Sequence, residues 1–243
     1  MFRFRICVGS LFLAGLCPSV AAQPLPPLVT DRPDFTESAV VVPLGSVQAE
    51  AGVTSLDSRT LSGPELLVRW TPIPRLELRF GAPDYTSTSG NSGFSNPSLG
   101  AKVQFGPFGS WDLGVIGTVS TFADGSVDPE VIVAGSYARS ERAAFGGQVV
   151  VGRDGIADVW TFGGTLVYGI GFPDDAPLFF DERWGVFIEL AATVPERGAA
   201  EVLQHTGFTY ALSPNVQLDV HTGAGLTNAA PSSLLGAGVS VRR

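Results

Sequence analysis

The chain has 243 residues, and 15 Lys and Arg against 23 Asp and Glu give a formal net charge of −8. A nucleic-acid-binding role is not expected, because phosphate recognition requires a basic face. The sequence contains 30 glycines, is 44% hydrophobic and has a mean hydropathy of +0.25. This length and composition are typical of one domain of the barrel or sandwich class. In a membrane barrel, apolar residues face lipid at alternate positions, and glycines relieve crowding inside.

The first 22 residues have the features of a cleaved secretory signal peptide. Arg3 and Arg5 form a basic start, the stretch from Ile6 to Leu16 is apolar, and small residues precede a cleavage site after Ala22. The apolar stretch is too short to be a spanning helix. We therefore predict export, with a signal peptide at residues 1–22.

Both cysteines, Cys7 and Cys17, lie in this segment. A lipoprotein is not expected, because Ile6 and Leu16 precede them where a small residue is required. The mature chain is therefore expected to contain no disulfide and no thiolate metal site, although it enters an oxidising compartment.

Residues 23–45 are rich in proline, which excludes a regular strand or helix. We interpret this segment as an extended periplasmic lead-in. From residue 46 to residue 243 the pattern changes to alternation with period two, in runs of about ten residues. The runs are Ser46–Thr54, Glu65–Thr71, Arg75–Phe80, Ser98–Phe105, Trp111–Ser120, Glu130–Ala138, Ala144–Gly152, Val159–Ile170, Arg183–Ala192, Val202–Ala211, Asn215–Ala224 and Leu234–Val241.

The connections between these runs alternate in length. Tight connections such as Pro72–Pro74 alternate with longer polar ones such as Ala82–Pro97. Short periplasmic turns and longer outer loops are typical of an outer-membrane barrel. Gly171–Glu182 departs from this rule, because it falls where a short turn is expected. It is either an insertion or a sign that the strand count is wrong by one hairpin.

The pattern predicts an all-β fold, an up-and-down antiparallel transmembrane β-barrel of about twelve strands in the outer membrane of a Gram-negative bacterium. The alternative is a soluble β-sandwich. It is disfavoured because no run has the charged or prolyl protection that edge strands need, and because aromatic residues near the run ends suggest interfacial girdles. A helix-free chain can span lipid only as a closed barrel. The expected partners are outer-membrane lipid, the barrel-assembly machinery and small solutes.

Several segments resemble a family of outer-membrane barrels described as the putative MetA-pathway of phenol degradation. The most specific is Thr30-Asp31-Arg32-Pro33-Asp34-Phe35-Thr36-Glu37-Ser38, and Pro64–Trp70, Arg75–Gly81 and Leu212–Asp219 also match. The resemblance implies a barrel with a role in the uptake of small hydrophobic compounds. The sequence departs from such barrels at its end, which is Arg242-Arg243 where an aromatic residue is usual.

Alternation also predicts which charged residues face the lumen. Arg69, Glu77 and Arg79 lie on adjacent runs and are expected to form one ion-pair cluster. The whole predicted set is Glu50, Glu65, Arg69, Glu77, Arg79, Lys102, Asp112, Glu130, Glu189, Asp219 and His221. These side chains either fill and rigidify a narrow barrel or form a polar constriction that selects solutes. Leu67, Ile116, Val150 and Phe187 are expected to be apolar lumen residues.

We hypothesise a passive channel for small solutes, with aromatic or otherwise hydrophobic compounds as candidates, and no enzymatic activity or cofactor. The alternative is a closed structural barrel whose outer loops bind. An outer-membrane hydrolase is less favoured: Asp219 and His221 face the same way on one strand, but no Gly-x-Ser-x-Gly motif accompanies them. No metal site is expected, because two histidines and scattered carboxylates show no ligand spacing.

Overall fold

The computed structural model describes residues 26–121, 126–155 and 158–243. The predicted signal peptide, residues 1–22, lies outside these ranges. In the described chain, no helix is long and apolar enough to cross a membrane.

Twelve antiparallel strands of the described chain form a closed barrel, as the sequence predicts. Each strand pairs with its neighbours along the chain, and pairing of the first with the last strand closes the sheet, with Gln48 opposite Arg242 and Leu56 opposite Leu234. The barrel strands are β1 (Val47–Leu56), β3 (Leu67–Ile73), β4 (Leu76–Gly81), β7 (Ser98–Phe108), β8 (Trp111–Thr121), β9 (Val127–Ser140), β10 (Ala143–Asp154), β11 (Val159–Gly171), β12 (Trp184–Pro195), β13 (Glu201–Ser213), β14 (Val216–Gly225) and β15 (Leu234–Arg242).

Three short strands extend the sheet beyond one end of the barrel. They are β2 (Thr60–Gly63), β5 (Tyr85–Thr88) and β6 (Asn91–Phe94), and they pair in the order β1, β2, β5, β6. We call this end, which carries the long connections, the outer end. The opposite end carries the tight turns, the start of β1 and the end of β15. We call it the periplasmic rim, because short turns face the periplasm in outer-membrane barrels.

The outer ends of the first and last strands are joined by an exposed aspartate. Asp57 Oδ1 accepts hydrogen bonds from Ser232 Oγ (2.7 Å) and the Ser233 amide (3.0 Å). These bonds, the Ser232 hydroxyl first, lower the pKa of Asp57, so the link persists at neutral pH. Asp57 therefore holds the closing seam together above β1 and β15.

Period-two alternation places apolar and polar side chains on opposite faces of the wall. Large apolar side chains such as Leu99, Val149, Leu166 and Leu235 are exposed on the outer face, which is the pattern of a barrel wall suited to face lipid. On the inner face, most of the buried side chains are polar or charged. A small apolar patch of Ile116, Ile132, Ala134 and Val150 interrupts the polar interior.

The connection after β11 shows that the strand count was correct. Residues 172–183 contain no further strand, and β11 pairs directly with β12 from Gly171–Gly185 to Thr161–Pro195. The long Gly171–Glu182 connection is thus an insertion at the periplasmic rim and not a missed hairpin.

The predicted lead-in requires a correction. We expected residues 23–45 to extend into the periplasm, but the described part from Val29 to Val42 lies inside the barrel. Its polar groups contact inward-facing side chains of β1, β3, β4, β7, β10, β11, β12 and β14. Prolines correctly excluded regular structure here, but did not reveal that the segment fills the lumen. We call residues 29–42 the luminal loop.

Candidate functional site: the luminal loop and the wall around it

A cluster of charged side chains fixes one side of the luminal loop to the wall. Asp31 Oδ2 lies 2.6 Å from Arg79 Nη1, 3.1 Å from Lys102 Nζ and 3.3 Å from Arg69 Nε. Arg69 also pairs with wall carboxylates, at 2.7 Å from Glu50 and 3.0 Å from Glu77. The charged cluster consists of Asp31, Glu37, Glu50, Arg69, Glu77, Arg79 and Lys102.

The charged cluster is almost completely withdrawn from solvent. Arg69, Glu50, Glu77 and Lys102 are all 0% exposed. Buried charges are tolerated only when opposite charges and hydrogen bonds compensate them. Here the loop itself contributes, since the Asp31 amide donates to Glu50 (2.9 Å). The loop is therefore part of the electrostatic core of the barrel.

The opposite side of the loop is held by Glu189. Its carboxylate accepts hydrogen bonds from the Phe35 amide (2.9 Å), Thr36 Oγ1 (2.6 Å) and His205 Nδ1 (2.9 Å). His205 Nε2 in turn shares a hydrogen bond with His221 Nδ1 (2.8 Å). The bonds run in series, and in the described chain no group of three His, Cys, Asp or Glu is arranged to hold a metal ion.

Gln148 adds a second contact on this side. Its side-chain oxygen accepts from the Glu37 amide (2.7 Å), and its Nε2 donates to the Phe35 carbonyl (2.8 Å). The Phe35 ring stacks on His205 with a centroid separation of 4.5 Å. Phe35 and Thr36 therefore reach across the lumen to β10, β12 and β13.

Phe35 and Thr36 lie between two of the cavities beside the loop. The larger, of about 470 Å³, is near the periplasmic rim and is lined by Thr36, Val167 and Phe187, among others. The smaller, of about 280 Å³, is near the outer end and is lined by Phe35 and Gln148, among others. These two cavities share no lining residue, so Phe35, Thr36, Gln148, Thr165 and Glu189 form a partition between them. A third cavity, of about 300 Å³, borders the larger one at Glu37 and the smaller one at Glu130.

Glycines on the inner wall make room for the loop. Gly52 and Gly238 are opposite each other on β1 and β15, and a Cβ at either position would overlap the Arg32 guanidinium. A Cβ at Gly114 on β8 would lie 2.7 Å from the Ala39 carbonyl oxygen. A larger side chain at Gly114 requires the loop backbone to move, whereas at Gly52 it requires the Arg32 side chain to shift.

Gly114→Val is accordingly expected to displace the luminal loop. Gly117→Val is its matched control, because Gly117 is on the same strand and a Cβ there meets nothing within 4 Å. Limited proteolysis of the purified protein should cleave within residues 29–42 in the Gly114 variant only. Equal cleavage in both variants would contradict the close approach of Ala39 to Gly114.

The predicted lumen residues all lie on the inner side, although they do not form a single group. Arg69, Glu77 and Arg79 form an ion-pair cluster as expected, and Glu50 and Lys102 join it. Arg32 bridges Glu65 (2.5 Å) and Asp219 (3.4 Å). Asp112 accepts from Gln104 (3.1 Å) and lines the larger cavity, whereas Glu130 lines the smaller one. Glu189 and His221 belong to the hydrogen-bonded series on the far side.

Sequence reasoning missed several residues. His205 is fully buried on the inner face. It could have been predicted there, because it is two and four residues from Gly207 and Thr209 on the same strand and therefore faces the same side. The imidazole of His221 bonds to His205, not to Asp219 as the hydrolase hypothesis would need. Gln148 and the roles of Asp31 and Glu37 were missed because they depend on where the loop lies. Of the expected apolar lumen residues, Ile116 and Phe187 are buried on the inner side, and Val150 packs beside Ile116.

Comparisons with known proteins agree with this architecture. The family model described as "Putative MetA-pathway of phenol degradation" matches residues 30–130, from the start of the loop motif into β9. The resemblance to this family is confirmed. No curated protein matches the sequence significantly.

Solved structures share the fold at low sequence identity. The COG4313 outer membrane channel from Pseudomonas putida F1 is 14% identical, with a TM-score of 0.64, and the match covers 85% of this chain and 98% of that one. A KdgM porin in complex with disordered oligogalacturonate (9% identity, TM-score 0.58) and the NanC porin (10%, 0.56) each match over 80% of this chain and 98% of theirs. This chain thus shares the closed antiparallel barrel fold of these channels and porins.

Proposed function

We propose that the barrel is a passive outer-membrane channel in which the luminal loop forms the constriction. The observation that carries this proposal is the partition at Phe35 and Thr36, which separates two cavities along the β9–β13 wall. No energy-coupling device is needed, because solutes would diffuse between the cavities when the partition yields. The fold shared with channels and porins supports the same interpretation.

The linings of the cavities support small solutes with an apolar part. The larger cavity combines Val40, Val167 and Phe187 with the carboxylates of Asp34 and Asp112. A compound of the size of one aromatic ring fits the observed volume, and its polar group would find hydrogen-bond partners. Hydrophobic or aromatic compounds are therefore the substrate class that we propose.

The charges of the lumen favour neutral or cationic solutes over anions. The acidic side chains of the loop and the inner wall outnumber the basic ones. The acidic residues are Asp31, Asp34, Glu37, Glu50, Glu65, Glu77, Asp112, Glu130, Glu189 and Asp219, and the basic ones are Arg32, Arg69, Arg79, Lys102 and Arg242. Since charged linings set pore selectivity, we expect cation selectivity.

Reconstitution in planar bilayers tests the proposal. The wild-type protein is expected to give small ohmic conductance steps. In a KCl gradient, its reversal potential should be shifted from zero towards the equilibrium potential of K⁺. The double variant Asp112→Asn, Glu130→Gln removes one negative charge at each cavity. Its reversal potential should therefore lie closer to zero. The matched control is Asp174→Asn, because Asp174 lies on the insertion after β11 and outside both cavity linings.

If folded, inserted protein produced no conductance steps, this result would contradict the channel proposal. It would favour the alternative of a closed barrel that acts through its outer loops. Anion selectivity would leave a pore but contradict the charge argument.

A further inference from the structure

The insertion after β11 is distinct from its neighbours on the periplasmic rim. In the described chain, the other four connections at this rim have two residues each, whereas this one runs from Phe172 to Arg183. Two residues are enough to join antiparallel strands, so the additional length needs its own explanation.

Aromatic stacking folds the insertion onto the lipid-facing wall. Phe180 stacks on Phe172 with a centroid separation of 4.5 Å, and its ring is 5.4 Å from Trp184 and 6.2 Å from Phe208. Trp184 and Phe208 face outward, because their neighbours Gly185 and Gly207 face the lumen. Phe180 therefore anchors the insertion on the outside of the barrel wall.

The tip of the insertion carries two solvent-exposed apolar side chains. Leu178 is 88% exposed and Phe179 is 69% exposed. Leu178 has a φ of 68°, a left-handed conformation that costs a non-glycine residue free energy. A strained, exposed leucine beside an exposed phenylalanine has no evident role in water.

Charged groups sit beside this tip at the height of the rim. Arg183 pairs with Asp181 at 2.5 Å, and its guanidinium lies 5.0 Å from the centre of the Tyr210 ring. A cation above an interfacial tyrosine is suited to the headgroup region of a bilayer, where aromatic belts end. Lipid is therefore the partner that continues the apolar surface of the wall.

We propose that the insertion is an interfacial anchor, with Leu178 and Phe179 inserted among the acyl chains of the periplasmic leaflet. The apolar outer wall is the lipid contact that the proposed channel requires, and the tip continues it through Phe180, Trp184 and Phe208. Gly171 and Gly185, which flank the insertion, also line the larger cavity. The anchor thus fixes the height of this cavity relative to the bilayer.

A depth measurement tests this proposal. The full chain carries Cys7→Ser and Cys17→Ser, so that Leu178→Cys provides one site for a nitrobenzoxadiazole label. In phosphatidylcholine vesicles, nitroxides on the acyl chains are expected to quench this label strongly, and aqueous iodide weakly. The matched control is Phe94→Cys on β6 at the outer end, which is 74% exposed and should be quenched by iodide.

Heat-dependent gel mobility verifies that each labelled barrel is folded. Iodide quenching at position 178 equal to that at position 94 would overturn the anchor. Protection from both quenchers, with self-quenching of the label that increases with the protein-to-lipid ratio, would also overturn it in favour of a contact with a second copy.

Discussion

Arg69→Met is expected to be the most destabilising single substitution of a luminal side chain. The measurement is the temperature at which the barrel loses its compact gel mobility, which this variant should lower the most. Arg69 is fully buried and contacts Glu50 (2.7 Å), Glu77 (3.0 Å) and Asp31 (3.3 Å). Methionine has a similar length but no charge, so three carboxylates lose their shared partner. Removing one member of a buried ion pair costs about 3–5 kcal/mol.

The control for this prediction is Arg142→Met in the two-residue turn between β9 and β10. Arg142 is exposed, so the temperature of the mobility change should stay the same. Adding Glu50→Gln to the Arg69 variant should restore part of the loss, because Glu50 forms an ion pair with no other basic side chain of the described residues and is then neutral. An Arg69 variant as heat-resistant as wild type would contradict the central position of Arg69 in the charged cluster.

The barrel wall could be predicted from the sequence because the alternation that defines each strand can be recognised within about ten consecutive residues. A strand that separates lipid from a polar lumen must alternate, and each of the twelve runs does so. The same parity correctly assigned Arg69, Glu77 and Arg79 to the inner face, and adjacency in the chain placed them on paired strands. Glu77 indeed lies opposite Lys102, and Arg69 opposite Arg79.

The luminal loop could not be predicted in the same way, since it has no periodicity of its own. An indirect signal was nevertheless present. Glu189 and Glu50 are inward carboxylates with no Lys or Arg directly opposite them on the neighbouring strands, where Glu189 faces Val167 and His205. Such charges require a partner from elsewhere, and the loop supplies amides to both.

The end of the chain also acquires a physical interpretation from the loop. Arg242 is 3% exposed, and its guanidinium donates to the Asn215 side chain (2.9 Å) and to the Pro26 carbonyl (2.9 Å). The inward position of Arg242 follows from its parity with Ser240. In this barrel, the last strand thus holds the entry of the luminal loop at the periplasmic rim.

Replacing residues 30–41 by a Gly/Ser segment of equal length is expected to raise the single-channel conductance several-fold. The replacement removes the side chains of Phe35 and Thr36, so the two cavities of about 470 and 280 Å³ should merge into one path. It also removes Asp31 and Glu37 from the charged cluster, so the cation preference should weaken. Glu50 and Glu77 remain to balance Arg69, and the strand pairing of β1 with β15 that closes the barrel includes no residue of the loop.

The matched control replaces residues 85–94 by a Gly/Ser segment, which removes β5 and β6 at the outer end but leaves the lumen unchanged. Its conductance should equal that of wild type, and heat-dependent mobility should verify that both barrels fold. If the loop replacement folds, inserts and conducts no more than wild type, the partition does not limit flow and the constriction has to be sought elsewhere. If both replacements raise the conductance equally, the effect is not specific to the luminal loop, because removing a hairpin outside the lumen would then have the same consequence.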